Sequence, residues 1–359
     1  MAIATHAVAI EIGGMTVVVR TGSSEFARLL RDRYGPFVLD ARQPAEATGA
    51  GRTTGEPEAL HRVAKGEALR HTIPCKGRPR DDSGASSSRG FPAGSFQLEV
   101  ELMPQGIMSD ADEARVRSEG RRWVMERGDF RAEWDPVRRR GRVRQSCNPY
   151  AIDAVLRILH SLILAREGGF LVHAASAIRN GRAFLFAGVS GAGKTTISRL
   201  APPDVLLLSD EISYVRSQDP GFRSQTSKAG KQKAGGGRRG KAGQNAALDS
   251  TTSLTRDHRQ PPCTFVAYGT PFAGELARIG ENLRAPVAAL YFLAQGTENR
   301  IEAVSQAEAA RALLRNILFF AHDKALVQRV FQSAFEFVGR VPVGRLVFAP
   351  DARVWDLIQ

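Results

Sequence analysis

Apolar and polar positions alternate from residue 6 to about residue 21, on either side of Gly13-Gly14. That pattern predicts a hairpin with its turn at the glycines. Phe26, Leu29, Leu30 and Tyr34 then recur at helical spacing, which predicts a short helix with one buried face. Residues 41–94 are rich in Gly, Pro, Ser, Thr and Arg, the composition of a long loop. The stretches FQLEVEL, RRWVMER, DFRAEWD and GRVRQS alternate again and predict an antiparallel sheet with one face in solvent. Residues 1–147 thus read as a small α+β N-terminal domain.

The period changes at NPYAIDAVLRILHSLILAREGG. Asn148-Pro149 give a helix start, Ile152, Val155, Leu156, Leu159 and Ile163 a buried stripe, and Gly168-Gly169 a stop. His160 falls among the polar positions of this helix and reads as structural. Beyond it, FLVHAASAI, RAFLFA, DVLLLSD, PVAALYFLAQ and RLVFAP predict strands alternating with helices, the order of an α/β layer structure. Ser305 and Glu308 form a capping box opening one of those helices. Residues 148–359 therefore read as a second domain.

Charge changes the picture once its location is considered. The net charge is +13, but residues 216–259 hold ten Lys or Arg against three Asp, a net of +7. That stretch has few large apolar residues and cannot offset chain entropy by burial, so 217–259 reads as a disordered basic insertion. Weak contact with nucleic acid or another anionic surface is the partner it suggests. Cys75, Cys147 and Cys263 lie far apart without metal-ligand spacing, as isolated reduced thiols do. The start of the chain lacks a basic n-region, and the longest apolar run is broken by Asp153, Arg157 and His160. Both features predict a cytoplasmic protein with no membrane span.

The candidate chemistry lies in FLFAGVSGAGKTTISRL. Residues 188–195 match G-x-x-x-x-G-K-[ST] in full, between a predicted strand and a predicted helix. Glycines let such a turn point its N–H groups inward at phosphate, the Lys194 ammonium supplies charge, and the Thr195 hydroxyl suits Mg²⁺. Gly188, Val189, Ser190, Gly191, Ala192, Gly193, Lys194, Thr195 and Thr196 form the expected nucleotide-binding set. Asp210 and Glu211 end a buried strand fifteen residues after Thr195, where a carboxylate can reach the nucleotide's metal. His173 stands in an apolar strand before the turn. The chain contains neither N-K-x-D nor an LSGGQ-type signature, which disfavours a switch GTPase or a transporter ATPase.

LVHAASAIRNGRAFLFAGVSGAGKTTISRL and LLLSDEISYV together resemble the catalytic domain of HPr kinase/phosphorylase, the bacterial serine kinase of a phosphocarrier protein. SGAGKTT is also similar to the nucleotide loop of ATP-dependent phosphoenolpyruvate carboxykinase, whose core shares that fold. The resemblance covers about residues 170–216 closely and the remainder to 359 loosely. It implies an α/β, P-loop nucleotide-binding kinase domain of the HPr-kinase/PEP-carboxykinase type. It also implies an ATP- and Mg²⁺-dependent kinase, with GTP left open. Asp210 would ligate Mg²⁺ with Thr195 or take the acceptor proton, Glu211 would share that task, and His173 and Lys194 would lie at the transferring phosphoryl.

The family's glycine-rich C-terminal signature has no clear counterpart, and Glu211 stands where the carrier kinases have Asp. This marks a divergent member, with an unidentified small protein or peptide as acceptor. Tyr268, Thr270, Pro271 and Phe272 are expected in an acceptor-facing loop. A carboxykinase-like metabolite kinase, a non-enzymatic ATP-binding regulatory module and an RNA-associated NTPase are the alternatives, and homo-oligomer formation stays open.

Overall fold

The computed structural model describes residues 5–39, 92, 94–104, 113–218, 264–274, 276 and 279–359. The loop-rich segment 41–94 and the basic insertion 217–259 lie outside them except at their margins, as do Cys75 and Cys263.

The N-terminal half builds a seven-stranded sheet in the order β1-β2-β3-β7-β6-β5-β4. Its strands are β1 (His6–Ile12), β2 (Met15–Thr21), β3 (Phe96–Met103), β4 (Arg115–Glu119), β5 (Arg122–Arg127), β6 (Phe130–Asp135) and β7 (Arg140–Ser146). The sheet is mixed rather than antiparallel, since β3 runs parallel to both β2 and β7. A parallel pair needs a crossover. Between β2 and β3 that crossover includes α1 (Ser24–Tyr34), capped by the Ser23 hydroxyl accepting from Phe26 N. Alternation predicts which residues share a face but says nothing of which strand lies alongside.

One face of this sheet buries Leu98, Val100, Phe130, Trp134 and Val143. The other is a lattice of charge. Arg20, Glu99, Arg142 and Glu133 stand in register across four strands. Ion pairs join Arg142 to Glu101 at 2.9 Å, Arg131 to Glu126 at 3.3 Å and Arg122 to Glu133 at 3.3 Å, and Arg117 also reaches Glu126.

Helix α2 (Pro149–Glu167) joins the two halves. Asn148 caps it by accepting from Tyr150 N at 2.9 Å, Pro149 occupies its first turn, and Gly168 ends it in the left-handed region at φ 82°. Thirteen of its residues are buried, a wider face than the predicted stripe. It packs into one continuous core with Val17 and Phe26 of the first half and Leu171, Tyr214 and Phe272 of the second. His160 is fully buried here instead of lying on a polar face.

The described residues of the second half form nine strands: β8 (Gly169–Arg179), β9 (Arg182–Ala187), β10 (Leu206–Ser209), β11 (Ile212–Ser217), β12 (Phe265–Tyr268), β13 (Arg284–Gln295), β14 (Arg300–Ala303), β15 (Ile317–Leu318) and β16 (Val343–Phe348). Asn180 and Gly181, both at positive φ, make the tight turn between β8 and β9. The long strands β8 and β13 change partners along their length. As a result β8, β11, β12, β13 and β9 close into a five-stranded ring.

Among the described strands of this half, only the β9–β13–β16 set is parallel. Phe184 and Phe186 of β9 pack with Ile197 of α3 (Lys194–Arg199) and with Trp355. Leu185 and Ala187 face the opposite side, toward α4 (Gln306–Asn316) and α5 (Lys324–Arg340). Helices thus cover both faces of the strand that feeds the glycine-rich turn.

Candidate functional site

Strand β9 ends at Ala187, and the turn 188–193 leads directly into α3. Sterics explain its glycines. A Cβ on Gly193 would stand 2.6 Å from Phe348 Cζ, and φ there is +110°. A Cβ on Gly188 would stand 2.7 Å from Ala192 Cβ. Gly191 has open space around it, so its φ of +79° is what calls for glycine.

The Lys194 ammonium is buried and donates to Gly188 O at 2.7 Å and to Val189 O at 3.1 Å, tying the turn to the helix it opens. Gln295 at the end of β13 steadies the turn from outside, its Nε2 donating to Gly191 O at 2.8 Å.

Asp210 and Glu211 occupy the tight connection between β10 and β11. The Ser209 hydroxyl accepts from Glu211 N at 3.2 Å and Ile212 N at 3.0 Å and so shapes that connection. Asp210 is buried, and each of its oxygens holds a backbone amide: Oδ1 accepts from Gly274 N at 2.9 Å and Oδ2 from Leu276 N at 3.1 Å. The Glu211 carboxylate is half-buried and accepts from Arg157 Nη2 at 3.4 Å. Burial pushes its pKa up and the neighbouring Asp210 adds to this, while Arg157 and Lys194 oppose it.

His173 of β8 stands in register with Ile212, immediately after the acid pair. Its pKa is lowered, first by burial and then by the charges of Lys194 and Arg157. The fold therefore brings Lys194, His173, Asp210 and Glu211 into one electrostatic neighbourhood.

Arg157 belongs to the same group, although in the sequence it only interrupts an apolar run. Its spacing from Asp153 is the one available signal: two charges four apart in the otherwise apolar run 151–159 mark a shared side of the helix.

The segment from Tyr268 to Phe272 differs from the acceptor-facing loop expected of it. Tyr268, Thr270, Pro271 and Phe272 are buried. Thr270 Oγ1 donates to Ile212 O at 2.6 Å, and Tyr268 Oη accepts from Gln218 Nε2 at 3.0 Å. These residues frame the acid pair. The glycines themselves allow the close packing, for a Cβ on Gly274 would sit 2.9 Å from Glu211 Cβ and one on Gly269 1.8 Å from Glu281 O.

The donor set suits a magnesium nucleotide. The turn is closed to larger residues at two of its glycines, a buried ammonium stands at its base, and Thr195 and Asp210 supply hard oxygen atoms. Mg²⁺ commonly takes one or two protein carboxylates together with substrate phosphates. Among the described residues no three His, Cys, Asp or Glu gather into a metal cage, and no helix is long and apolar enough to cross a membrane. No protein-family model and no curated protein matches the chain.

Proposed function

We propose that this chain is a kinase of the HPr-kinase-like type, which binds ATP with Mg²⁺ and passes the γ-phosphoryl to a hydroxyl group on a small protein or peptide. The observation that carries the reading is that Lys194, bonded to the glycine-rich turn, stands near enough for its charge to act on His173 of β8 and on Glu211, with Asp210 beside Glu211. Phosphoryl transfer asks mainly for positioned charge, and this group provides it.

The backbone of residues 188–193 cradles the phosphates, with Lys194 as a point charge on the β and γ groups. Thr195 and Asp210 are the residues that would hold Mg²⁺, which when bound offsets phosphate charge. The acceptor oxygen forms its bond to the γ phosphorus as the bond from that phosphorus to the bridging oxygen breaks. The acceptor's proton passes to the acid pair. Glu211 is the better placed member, because both Asp210 oxygens already accept backbone amides while Glu211 accepts only from Arg157 among the described residues. His173 adds a polar side chain beside the transferred group.

The test combines a calorimetric Mg-ATP titration of the wild type and Lys194→Met with single-turnover transfer of labelled γ-phosphate in cell extract. Wild-type binding with label on a discrete acceptor, and weaker binding by the variant, are expected. Equal affinities would remove the turn from the function, and binding without transfer would favour a regulatory ATP-binding module.

A further inference from the structure

Helix α2 carries three ionisable side chains in its middle turns, and two of them are committed elsewhere. Asp153 is taken by Arg33 and Tyr34, and His160 is sealed in the core. The third, Arg157, points out of the helix into the site.

Its Nη2 donates to Glu211 Oε2 at 3.4 Å, and its guanidinium carbon lies 5.1 Å from the centroid of the Phe272 ring. The Arg157 side chain is 26% exposed and its Nε is buried without a hydrogen-bond partner among the described residues, so the group is set into the wall of the site and not splayed in solvent. Phe272 is fixed in turn. It belongs to the segment that Asp210 holds through Gly274 N and Leu276 N and that Thr270 anchors to Ile212 O. On its other side Glu211 meets the backbone of Gly274, where even a Cβ would not fit.

We infer that Arg157 is a positioning residue of the site, clamping the Glu211 carboxylate against the 272–276 segment through an ion pair at one edge and a cation–π contact on its face. A guanidinium suits both jobs at once. Its plane lies over an aromatic ring while its N–H fork addresses a carboxylate, whereas a lysine ammonium supplies charge without the plane. The contacts stand on geometry alone, and their catalytic meaning rests on the kinase reading.

The experiment compares full-length wild type with Arg157→Lys and Arg157→Ala. It measures amide hydrogen exchange of the peptide spanning Gly269 to Asn282, Mg-ATP affinity, and single-turnover transfer at saturating ATP with and without added guanidinium ion. We expect faster exchange at Gly274 and Leu276 in both variants and ATP affinity within about twofold. Transfer should fall by about ten- to a hundredfold, as misplaced reacting groups do, and guanidinium should partly restore it in Arg157→Ala. Should Arg157→Ala fail to fold, Arg157→Lys carries the comparison.

Unchanged exchange would overturn the clamp. So would a loss of ATP affinity as large as the loss of transfer with no response to guanidinium, since that marks general structural damage. If the wild type transfers no phosphate the kinase reading falls, and the exchange measurement alone then decides whether Arg157 holds the segment.

Discussion

The Tyr34 hydroxyl donates to the Asp153 carboxylate at 2.6 Å inside the core, joining the helix of the first sheet to the central helix. Arg33 completes the arrangement, with its Nε 3.1 and 3.0 Å from the two Asp153 oxygens. Burial and the nearby carboxylate both push the Tyr34 pKa up, so the phenol stays protonated and keeps donating.

Removing the carboxylate strands both donors. Asp153→Ala is expected to cost about 3–5 kcal/mol, the range for breaking a buried ion pair from one side. Tyr34→Phe, which removes one donor and leaves Arg33 in place, should cost only about 1 kcal/mol. Urea unfolding of both variants checks this, and a cost below 1 kcal/mol for Asp153→Ala would show that the halves do not depend on the contact.

His160 makes the fold sensitive to acid. Burial pushes its folded-state pKa down to about 3 from an ordinary 6.5, and neither ring nitrogen finds a hydrogen-bond partner among the described residues. Between those values the unfolded chain binds a proton that the folded chain refuses, so this contribution to stability falls as pH drops from about 6.5 toward 3. His160→Leu should flatten that part of the stability–pH curve and stabilise the protein at pH 7 by about 1–2 kcal/mol. Thermal melts from pH 4 to 7.5 decide it, and parallel curves for wild type and variant would refute the assignment.

The basic segment begins and ends at neighbouring points. Ser217 stands opposite Phe265 in the β11–β12 pair, and Gln218 N donates to Thr264 O at 2.9 Å. Replacing 219–263 with a short Gly-Ser turn should therefore move Tm by no more than about 3 °C, because closure entropy changes slowly with loop length. Salt-sensitive binding to a short RNA should fall with the lost charge. A drop in Tm of ten degrees or more would count against an insertion that the fold can spare.

Asp210→Asn separates charge from shape. The amide keeps one acceptor for a backbone N–H but turns a second donor toward the other, and it lacks negative charge. Transfer is expected to fall by about a hundredfold or more while Mg-ATP affinity falls modestly. Single-turnover transfer beside a binding titration measures both, and a wild-type transfer rate would relieve Asp210 of any part in the reaction.

The glycine-rich turn was legible because its demands are local: a strand, positive φ at Gly191 and Gly193, and a lysine at the helix start. The caps Asn148 and Ser305 were legible for the same reason, being settled within three residues. Long-range partners were not. Asp210 reads in the sequence as a strand-terminal acid, but its hold on Gly274 and Leu276 spans more than sixty positions and leaves no periodic trace. The parallel pairing of β2, β3 and β7 and the closing of the ring through β8 and β13 are likewise choices among strands whose alternation looks alike. Thr270 and Phe272 looked like surface turn chemistry because Thr-Pro favours turns, whereas the bond from Thr270 to Ile212 O draws them inside.

The charged lattice on the outer face of the first sheet bears on how the protein meets copies of itself. Its rim strand β4 is five residues long and carries Arg115, Arg117 and Glu119. A strand from another molecule adding there would have to match a short row of two arginines and a glutamate, and one sliding across the face would meet guanidinium and carboxylate groups already paired with each other. Short, charged edges are how β-sheets resist sticking together. On its β4 side this sheet therefore offers a strand of another molecule a poor edge to extend.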